Sequence, residues 1–504
     1  MRVTTSLLAA SVLALVGLPA CFLFGGAHRT NILLVVVDSL RYDAISRAKG
    51  AASTPNMQQL ITEGTAFRAC FSHSPDSQPA LAALLSSRLP HENGLMSNGL
   101  ETSDGVALLP EWLTKRGYRT FAAMGLANSK PQHPGRGLDR GFSKLVTFPH
   151  DIGDADAVVD SFGDFLGNAA AGEPWFGLVQ LTETRQPFDA GDDERVEAQL
   201  SRDGEDPETL SIGGDGYWER STVLPPGRTR FTIRSDVPMR VLSFESRAGK
   251  RNLETRFESG ARLVPGKSFV ISVENPDGEP VDCKLNGWFH DAPTLAEARR
   301  RYKGEIEAVD QAVGRLVEQL RARNMYDNTL IVLTSGHGVA LGEHEHLGRG
   351  SELYDEFLHV PLLIKPVKDD SRIELLRQSL TDVTRQIDVV PTLLELANVS
   401  SMPGADGVSL LEHRRRELFA ESHPGAPGAS SFAIRDERFK LVLDSAANRF
   451  LMYDLRSDTL EQEDVFPLQG QNKPDWQRRL GALVGSVHPP EAQHHDVRFE
   501  ALGY

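Results

Sequence analysis

Cysteine is scarce in this sequence of 504 residues, which contains only Cys21, Cys70 and Cys283. Three cysteines cannot form a disulfide framework, so the fold must depend on burial of apolar side chains, and a Cys70–Cys283 bridge stays open. Basic residues are outnumbered by acidic ones: the 54 Lys and Arg and the 69 Asp and Glu give a net charge of −15. That balance argues against binding to a nucleic-acid backbone.

The composition also differs from that of a multi-span membrane protein, because 40% of the residues are hydrophobic and 24% are charged. One apolar run stands at the N-terminus, from Leu7 to Leu18, behind the basic Arg2. This pattern predicts an export signal over residues 1–27. We therefore expect the rest of the chain to lie outside the cytoplasm, in the periplasm or at the cell surface.

Three outcomes are open for this signal. The sequence Leu18-Pro19-Ala20-Cys21 resembles a bacterial lipobox, in which the cysteine is lipidated and becomes the mature N-terminus. Because apolar residues continue through Phe24, the segment is also long enough for an uncleaved membrane anchor. Ordinary cleavage without lipidation is the third outcome. The first two attach the protein to a membrane through its N-terminus.

Two apolar runs in the body of the chain predict strands that are buried on both faces. One covers Ile32–Val37, and the other begins at Thr329 and leads into a polar, glycine-containing stretch. Unbroken runs of this kind are typical of parallel sheets covered by helices. Further strands are predicted at FAAMG, WFGLVQL and VPLLIKP, and a long amphipathic helix is predicted before the second run.

The residues that follow the first run are the first site candidates. Ligands of open α/β sheets bind at the carboxyl edge of the strands. Asp38, Ser39 and Arg41 come directly after the run. We therefore expect these three side chains at a binding or catalytic site.

The residue pattern changes between about Gly213 and Trp288. Short β-branched and aromatic segments, such as RTRFTIRSD and KSFVISVEN, alternate there with Pro- and Gly-containing turns, which predicts a small antiparallel sandwich. The predicted domains are an α/β domain over 28–212 and 291–415, an inserted sandwich over 213–290, and a C-terminal part over 416–504. In this last part, FAIRDERFKLVLD and RFLMYDLRSD predict two strands of a smaller antiparallel sheet, followed by a tail.

With these segments in this order, the chain resembles the sulfatase family of the alkaline-phosphatase superfamily. The resemblance extends from NILLVVVDSLRYD at Asn31 to MYDLRSD at Asp458, excluding the predicted insertion. SPDSQPALAALLSSRLPHENGL is similar to the family's nucleophile segment, and DNTLIVLTSGHG is similar to its second metal-binding strand. The resemblance implies an α/β fold with a doubly wound, mostly parallel sheet flanked by helices.

The family's chemistry implies roles for several residues. Members hydrolyse sulfate or phosphate esters with a Ca²⁺ or Mg²⁺ ion held by carboxylates at the ends of two strands. Asp38 matches the first metal carboxylate, Ser39 stands where many members have a second Asp, and His337 matches the histidine of Ser-Asp-His-Gly. Ser77 matches the nucleophile, which sulfatases make as formylglycine from Cys or Ser in a C/S-x-P-x-R motif. The alternative role of Ser77 is an N-cap of the following helix.

Two positions depart from the family pattern where it bears on chemistry. Gly336 replaces the Asp of Ser-Asp-His-Gly, which removes one carboxylate from the implied metal site. Leu81 replaces the Arg of C/S-x-P-x-R, the residue that supports conversion to formylglycine. The sequence therefore predicts a degraded metal and nucleophile site. Glu343 and His344 could supply a shifted ligand, although their spacing gives no positive reason to expect it.

Arginine replaces another basic residue at two further positions, Arg185 in LTETRQPF and Arg349 in EHLGRG. Guanidinium groups bind sulfate, phosphate and carboxylate in a bidentate manner. One hypothesis is that Arg185 and Arg349 replace the charge of the missing metal and, with Arg41, bind an anionic substrate. The alternative is that both are surface arginines on loops.

Three functions are open at this point. The first is hydrolysis of sulfate or phosphate esters, with reduced or no activity. The second is a catalytically inactive member of the fold that binds anionic glycans or lipids. The third is a membrane-associated phosphoryl-group transferase, suggested by the N-terminal anchor together with a serine nucleophile. In each case the expected partner is an anionic ester of a glycan or lipid.

Overall fold

The computed structural model describes most of the chain after the predicted signal. The described residues are 29–45, 51–125, 137–148, 155–170, 172–184, 196–202, 205–212, 217–234, 239–249, 251–257, 262–263, 268–290, 292–423, 430–445, 447–469 and 474–487. The signal over 1–27, with Cys21, lies outside them, as do Arg185 and the tail from residue 488. None of the helices in the described part has the length and apolar character needed to span a bilayer.

The first half of the chain builds one side of an α/β domain. Its strands are β1 (Asn31–Val37), β2 (Thr65–Phe71), β3 (Arg119–Gly125), β4 (Lys144–Phe148) and β5 (Trp175–Leu181). Its helices are α1 (Pro55–Glu63), α2 (Ser77–Ser86), α3 (Pro90–Asn93), α4 (Leu109–Thr114) and α5 (Ala155–Gly167). The predicted strands at FAAMG and WFGLVQL are confirmed as β3 and β5.

An all-β insertion follows β5. Its strands are β6 (Val196–Arg202), β7 (Glu208–Ile212), β8 (Tyr217–Leu224), β9 (Gly227–Arg234), β10 (Met239–Ala248), β11 (Arg251–Asn252), β12 (Glu254–Phe257), β13 (Arg262–Leu263), β14 (Ser268–Asn275) and β15 (Val281–His290). They form two antiparallel sheets, one with the order β11-β10-β15-β8 and with β13 beside β10, the other with the order β12-β14-β9-β6-β7. A shared apolar core, including Trp218, Phe231 and Phe269, lies between them. The predicted sandwich is therefore observed.

The predicted start of the insertion at residue 213 is wrong. Strands β6 and β7 already belong to the sandwich, where β6 pairs with β9. The segment VEAQLSR alternates apolar and polar residues, and Ala198 and Leu200 are buried in the sandwich core. This signal was missed because the segment is short and follows a strongly acidic stretch.

The second half of the chain completes the α/β domain and adds the C-terminal part. Its elements are α6 (Ala292–Ala322), β16 (Thr329–Ser335), β17 (Ala340–Leu341), β18 (Leu347–Gly348), α7 (Asp355–Leu358), β19 (His359–Lys365), α8 (Ile373–Gln378), β20 (Thr384–Arg385) and α9 (Val389–Leu396). The C-terminal elements are β21 (Leu418–Ser422), β22 (Ser431–Arg435), β23 (Phe439–Asp444), β24 (Arg449–Asp454), α10 (Phe466–Gln469) and α11 (Pro474–Ser486). Strands β21 to β24 form a four-stranded antiparallel sheet.

One strand prediction in the C-terminal part needs correction. FAIRDERFKLVLD does not form a single strand, because it turns at Asp436 and divides into β22 and β23. The Asp436 side chain accepts hydrogen bonds from the backbone N–H groups of Arg438 and Phe439, each at 2.8 Å. A short polar side chain that bonds ahead of itself in this way stabilises a turn.

The main sheet has the order β20-β2-β19-β16-β1-β5-β3-β4. Strand β1 pairs in parallel with both β16 and β5, and β3 pairs in parallel with β5 and β4. Only β19 among these strands runs against its neighbours β16 and β2. The predicted doubly wound, mostly parallel sheet is therefore confirmed.

Both faces of β1 are covered by helices. Leu33, Val35 and Val37 pack in one core with apolar residues of α1, α5 and α6. Ile32 and Leu34 pack in the opposite core with residues of α2, α4 and α9. Because successive side chains of a strand point to opposite faces, this double burial explains the unbroken apolar run in the sequence.

Cys70 and Cys283 do not form the bridge that the sequence left open. Cys70 lies in β2 of the main sheet and Cys283 in β15 of the sandwich, and both are free and buried. Burial raises the pKa of Cys283 to about 11, so this thiol stays protonated and unreactive at neutral pH.

Candidate active site

Three segments meet at the carboxyl edge of the main sheet. Val37 and Ser335 are paired at the ends of β1 and β16, so the residues that follow each strand are neighbours. The Leu40 N–H donates to Ser335 Oγ at 3.0 Å, which ties the two loops together. The third segment is the first turn of α2, which begins at Ser77. The residues that follow the two strands and the start of this helix therefore lie at one edge of the sheet.

Ser77 and His337 are in direct contact at this edge. Their Oγ and Nε2 atoms lie 2.8 Å apart, and the side chains belong to residues that are 5% and 1% exposed. The other ring nitrogen, Nδ1, lies 2.7 Å from the backbone carbonyl oxygen of Gly338. A carbonyl can only accept a hydrogen bond, so Nδ1 carries a proton, and in the neutral ring Nε2 has a lone pair that can accept from the Ser77 hydroxyl. This is the arrangement of a serine nucleophile with its general base.

The loop that carries His337 is held by backbone contacts. Ser335 Oγ donates to the carbonyl oxygen of His337 at 2.6 Å, and Gln386 Nε2 donates to the carbonyl oxygen of Ser335 at 2.6 Å. Gly338 N–H donates to the carbonyl oxygen of Phe357 at 2.7 Å. A Cβ at Gly338 would lie 2.1 Å from a backbone oxygen of the adjoining segment, so only glycine fits this close approach.

Ser77 is not the N-cap of its helix. Asp76 occupies that position with an extended backbone, and Ser77 is the first helical residue. The N–H of Gln78, the second helical residue, donates to Asn98 Oδ1 at 3.0 Å. The third helical residue is Pro79, which has no N–H that a cap could bind. The alternative capping role of Ser77 is therefore wrong, and its hydroxyl faces His337 at the positive end of a helix.

Asp38 and Ser39 lie beside this pair. Asp38 is 2% exposed, its N–H donates to the Leu181 carbonyl at 2.8 Å, and its own carbonyl accepts from Thr184 Oγ1. Ser39 has a φ of 58°, a left-handed conformation that costs a non-glycine residue free energy. Among the described residues, its buried Oγ has no hydrogen-bond partner. The strained turn therefore presents two buried oxygen-bearing side chains at the sheet edge.

The residues present do not fit a tightly bound Ca²⁺ or Mg²⁺ ion. A Cβ placed on Gly336 would lie 3.8 Å from Asp38 Oδ1, so the missing carboxylate leaves a gap directly beside the remaining one. The donor set comprises one carboxylate, one hydroxyl and an imidazole whose Nε2 already contacts Ser77. Hard divalent cations need several anionic oxygen ligands. Within the described residues, no three His, Cys, Asp or Glu side chains are grouped so that they could hold a metal ion.

The two residues considered as replacement ligands face other partners. Glu343 accepts from the guanidinium of Arg41 at 2.9 Å and from the Leu341 N–H at 2.6 Å. His344 contacts Glu356 at 2.7 Å and stacks on Tyr354 with ring centroids 3.6 Å apart. Neither Glu343 nor His344 therefore replaces the missing carboxylate.

Arg41 is held in ion pairs, which disfavours the predicted substrate contact. Asp43 accepts from Nε at 2.9 Å and from Nη2 at 2.8 Å, and Glu343 accepts from Nη1 at 2.9 Å. Burial would lower the pKa of Arg41, but the two carboxylates hold it above its ordinary value. An anionic substrate would have to displace both carboxylates, so these contacts support a structural role for Arg41.

Of the two arginines proposed to replace the metal, Arg349 lies among the described residues. Arg349 is exposed in the loop after β18, and within the described residues it makes no hydrogen bond or ion pair. Arg185 lies outside the described residues. The proposed substitution of guanidinium charge for a metal therefore stays a prediction for Arg185 and has no structural support at Arg349.

Tyr302 is a site residue that the sequence did not indicate. Its hydroxyl donates to the carbonyl oxygen of Ser39 at 2.8 Å and accepts from the N–H of Arg41 at 3.0 Å. It therefore supports the strained turn after β1 from the N-terminal half of α6. The helix that contains Tyr302 matches the family in sequence, but no role for this side chain was predicted, because its partners are more than 250 residues away.

Comparison with known proteins gives related enzymes over nearly the whole chain. An N-acetylglucosamine-6-O-sulfatase from Bacteroides thetaiotaomicron is 23% identical over 526 residues, covering 93% of this chain and 87% of the relative. The phosphonate monoester hydrolase of Agrobacterium radiobacter has a TM-score of 0.63 at 18% identity, covering 91% of this chain and 96% of that one. A structure in complex with D-glucosamine-2-N,6-O-disulfate has a TM-score of 0.61 at 19% identity, covering 92% and 100%.

The two structural likenesses show that the chain shares their fold. The family model described as Sulfatase matches residues 30–399, which is well over half of the sequence and includes Asp38, Ser77 and His337. The chain therefore belongs to the sulfatase family.

Proposed function

We propose that this protein hydrolyses a sulfate or phosphate ester with the unmodified Ser77 hydroxyl as nucleophile and His337 as general base. The observation that carries the proposal is the 2.8 Å contact between Ser77 Oγ and His337 Nε2. The position of Ser77 in the first turn of α2 adds the favourable end of the helix dipole to a site that receives an anion.

The reaction proceeds in two balanced steps. In the first, Ser77 Oγ forms a bond to sulfur or phosphorus, its proton moves to His337 Nε2, and the bond to the ester oxygen breaks as the leaving alcohol takes that proton. In the second, a water oxygen attacks the same centre and gives a proton to Nε2. The bond to Ser77 Oγ then breaks, the serine takes the proton back, and inorganic sulfate or phosphate leaves.

The unmodified state of Ser77 is part of this proposal. Leu81 is 2% exposed and packs in the apolar core beneath α2. An arginine, as in the family motif, would need a charged partner at a place that this chain fills with apolar side chains. We therefore expect no conversion of Ser77 to formylglycine, and we expect phosphate esters to be cleaved faster than sulfate esters.

The substrate class is proposed from the relatives. One relative is called an N-acetylglucosamine-6-O-sulfatase, and one similar structure holds D-glucosamine-2-N,6-O-disulfate as its substrate. We propose that the natural substrate is a sulfated or phosphorylated glycan unit. We also propose that the protein acts outside the cytoplasm and is attached to a membrane by its N-terminal signal. The lipoprotein and anchor alternatives both remain predictions of the sequence.

A second candidate function is binding of an anionic glycan without turnover. The glycine at position 336 favours it, because members of this family rely on a divalent metal that the present donor set does not fit. The phosphoryl-transfer alternative depends on the N-terminal segment, and no contact among the described residues favours it.

The test compares hydrolysis of aryl phosphate and aryl sulfate by the purified protein and by Ser77→Ala. Ser161→Ala is the matched control, because that serine lies in α5 and, among the described residues, its hydroxyl donates to the Val158 carbonyl of its own helix. The proposal expects activity that Ser77→Ala loses and Ser161→Ala keeps. His337→Gln should lose most of the activity, because glutamine cannot take the proton of Ser77.

Mass spectrometry of the peptide that contains Ser77 tests the unmodified state, because formylglycine has two hydrogen atoms fewer than serine. Equal rates for Ser77→Ala and the parent protein would overturn the hydrolase proposal. Calorimetric binding of a sulfated glycan without any turnover would instead support the second candidate.

A further inference from the structure

A small cavity lies at the amino edge of the main sheet, opposite the Ser77 site. It encloses about 240 Å³ between Arg29 and Thr30 before β1, Arg116 and Tyr118 before β3, and residues 397–400 after α9. Strand β1 has seven residues, and a strand rises about 3.3 Å per residue, so the cavity is roughly 20 Å from Ser77. It is therefore separate from the proposed catalytic site.

Two guanidinium groups in its walls have neutral partners among the described residues. Arg29 Nη1 donates to the carbonyl oxygen of Arg116 at 2.6 Å, and Arg116 Nε donates to Ser400 Oγ at 3.1 Å. Among the described residues, neither arginine has a carboxylate within ion-pair distance, and the cavity walls contain no Asp or Glu. In a chain with a net charge of −15, this is a local concentration of uncompensated positive charge.

The third polar group of the cavity is a buried hydroxyl. Tyr118 is only 4% exposed, and among the described residues its OH has no hydrogen-bond partner. Burial raises the pKa of Tyr118 to about 12, against the opposing effect of Arg29, so the group is a proton donor at neutral pH. A buried donor without an acceptor costs stability, which a bound acceptor would recover.

We propose that this cavity binds a tetrahedral oxyanion, the sulfate or phosphate group of a small ligand, through Arg29, Arg116 and Tyr118. Guanidinium groups can only donate hydrogen bonds, a protonated phenol can donate one, and oxyanions are acceptors with several oxygen atoms. The volume is below the roughly 300 Å³ at which pockets for drug-sized ligands begin, so the site suits an ion or a headgroup. The proposal does not depend on the chemistry at Ser77.

The same oxyanion could come from two sources, the solution or a membrane. Arg29 follows the predicted signal by two residues, so an anchor retained there would bring this edge near lipid phosphates. Inorganic sulfate and phosphate test the first source. Vesicles of phosphatidylglycerol, compared with vesicles of neutral phosphatidylcholine, test the second.

Trp112 provides a local reporter that distinguishes this cavity from the Ser77 site. The guanidinium carbon of Arg116 lies 3.2 Å from the centroid of its ring, and Trp112 Nε1 donates to the Ser400 carbonyl at 2.8 Å. An anion that binds the guanidinium group of Arg116 changes the surroundings of the Trp112 indole. The fluorescence change on titration with phosphate should therefore disappear in Trp112→Phe.

The full-length protein is titrated with sulfate, phosphate and vesicles, alongside variants of the cavity. Arg116→Gln should weaken binding at least about tenfold, and Tyr118→Phe about threefold to tenfold. Lys115→Gln is the matched control, because this neighbour has the same charge but is exposed and does not line the cavity. Without ligand, Tyr118→Phe should have an equal or higher Tm, because it removes a buried donor that lacks an acceptor.

The titration with free ions and the titration with vesicles distinguish the two sources of the oxyanion. Binding of the free ions alone supports a soluble oxyanion, and additional binding to phosphatidylglycerol vesicles supports a lipid phosphate. The proposal is overturned if Lys115→Gln weakens binding as much as Arg116→Gln, or if neither arm shows saturable binding. A Tyr118→Phe variant with lowered Tm and unchanged affinity would likewise refute it.

Discussion

Replacing Gly336 by Asp should create a divalent-cation site in this protein. The Cβ of residue 336 would lie 3.8 Å from Asp38 Oδ1 and 3.8 Å from Ala80 Cβ, which are ordinary contact distances. The new carboxylate therefore fits without backbone movement and faces the existing one. Without a cation, two carboxylates about 5 Å apart repel each other by about 3 kcal/mol at an effective dielectric constant of 20.

A bound cation should reverse this loss. With a Kd of about 0.1 mM, as in weak extracellular calcium sites, 10 mM Ca²⁺ stabilises the folded state by about 2.7 kcal/mol. We expect Gly336→Asp to have a Tm about 3 °C below the parent protein in EDTA and to recover most of it in Ca²⁺. The parent protein should show no comparable response.

Differential scanning fluorimetry in EDTA and in Ca²⁺, with calorimetric titration of Ca²⁺, measures both quantities. Gly336→Asn is the matched control, because it has the same shape without the charge. The reasoning is refuted if the parent protein takes up one Ca²⁺ tightly. It is refuted equally if the folded Gly336→Asp variant responds to Ca²⁺ no more than Gly336→Asn does.

Three further predictions follow from buried groups. Leu81→Arg should lower the free energy of unfolding by about 3 kcal/mol or more in urea denaturation, because it buries a charge without a partner, whereas Leu81→Met should cost less than about 1.5 kcal/mol. Burial would raise the pKa of Glu421, but His423 and His91 hold this pKa at about 2. The ionised Glu421 therefore stabilises the folded state above its ordinary pKa of 4.5, and this stabilisation is lost as the pH falls toward 2. Glu421→Gln should therefore flatten the acid limb of stability against pH. Tyr302→Phe should lower the free energy of unfolding by about 1–3 kcal/mol, since two buried backbone groups lose their partner; an unchanged urea midpoint would contradict it.

The fold was largely predictable because its signals are local. The apolar run of β1 required burial on both faces, and the structure places helices on both sides of it. The start of the sandwich was missed at β6, because a short alternating segment beside an acidic stretch does not stand out in the sequence. The turn at Asp436 was missed for a related reason, since apolar residues flank it on both sides.

The position of the candidate site could be predicted from the sequence, but the contacts between its side chains could not. The ends of β1 and β16 indicated which residues would meet. The contact between Ser77 and His337 joins residues 260 positions apart, so only the folded chain reveals it. Arg41 looked available for substrate because arginines bind anions, whereas the fold gives it two carboxylates, one of them more than 300 residues away.

The place where the sandwich joins the α/β domain allows the surroundings of the site to differ between members of the family. The chain leaves for the sandwich after the carboxyl end of β5 and returns at the start of α6, which runs back toward the beginning of β16. Entry and exit therefore lie at the rim that also holds Ser77, while the sandwich keeps an interior of its own. Evolution could exchange, enlarge or delete this unit as a cassette, changing what surrounds the entrance without disturbing the paired strands that hold the reacting groups.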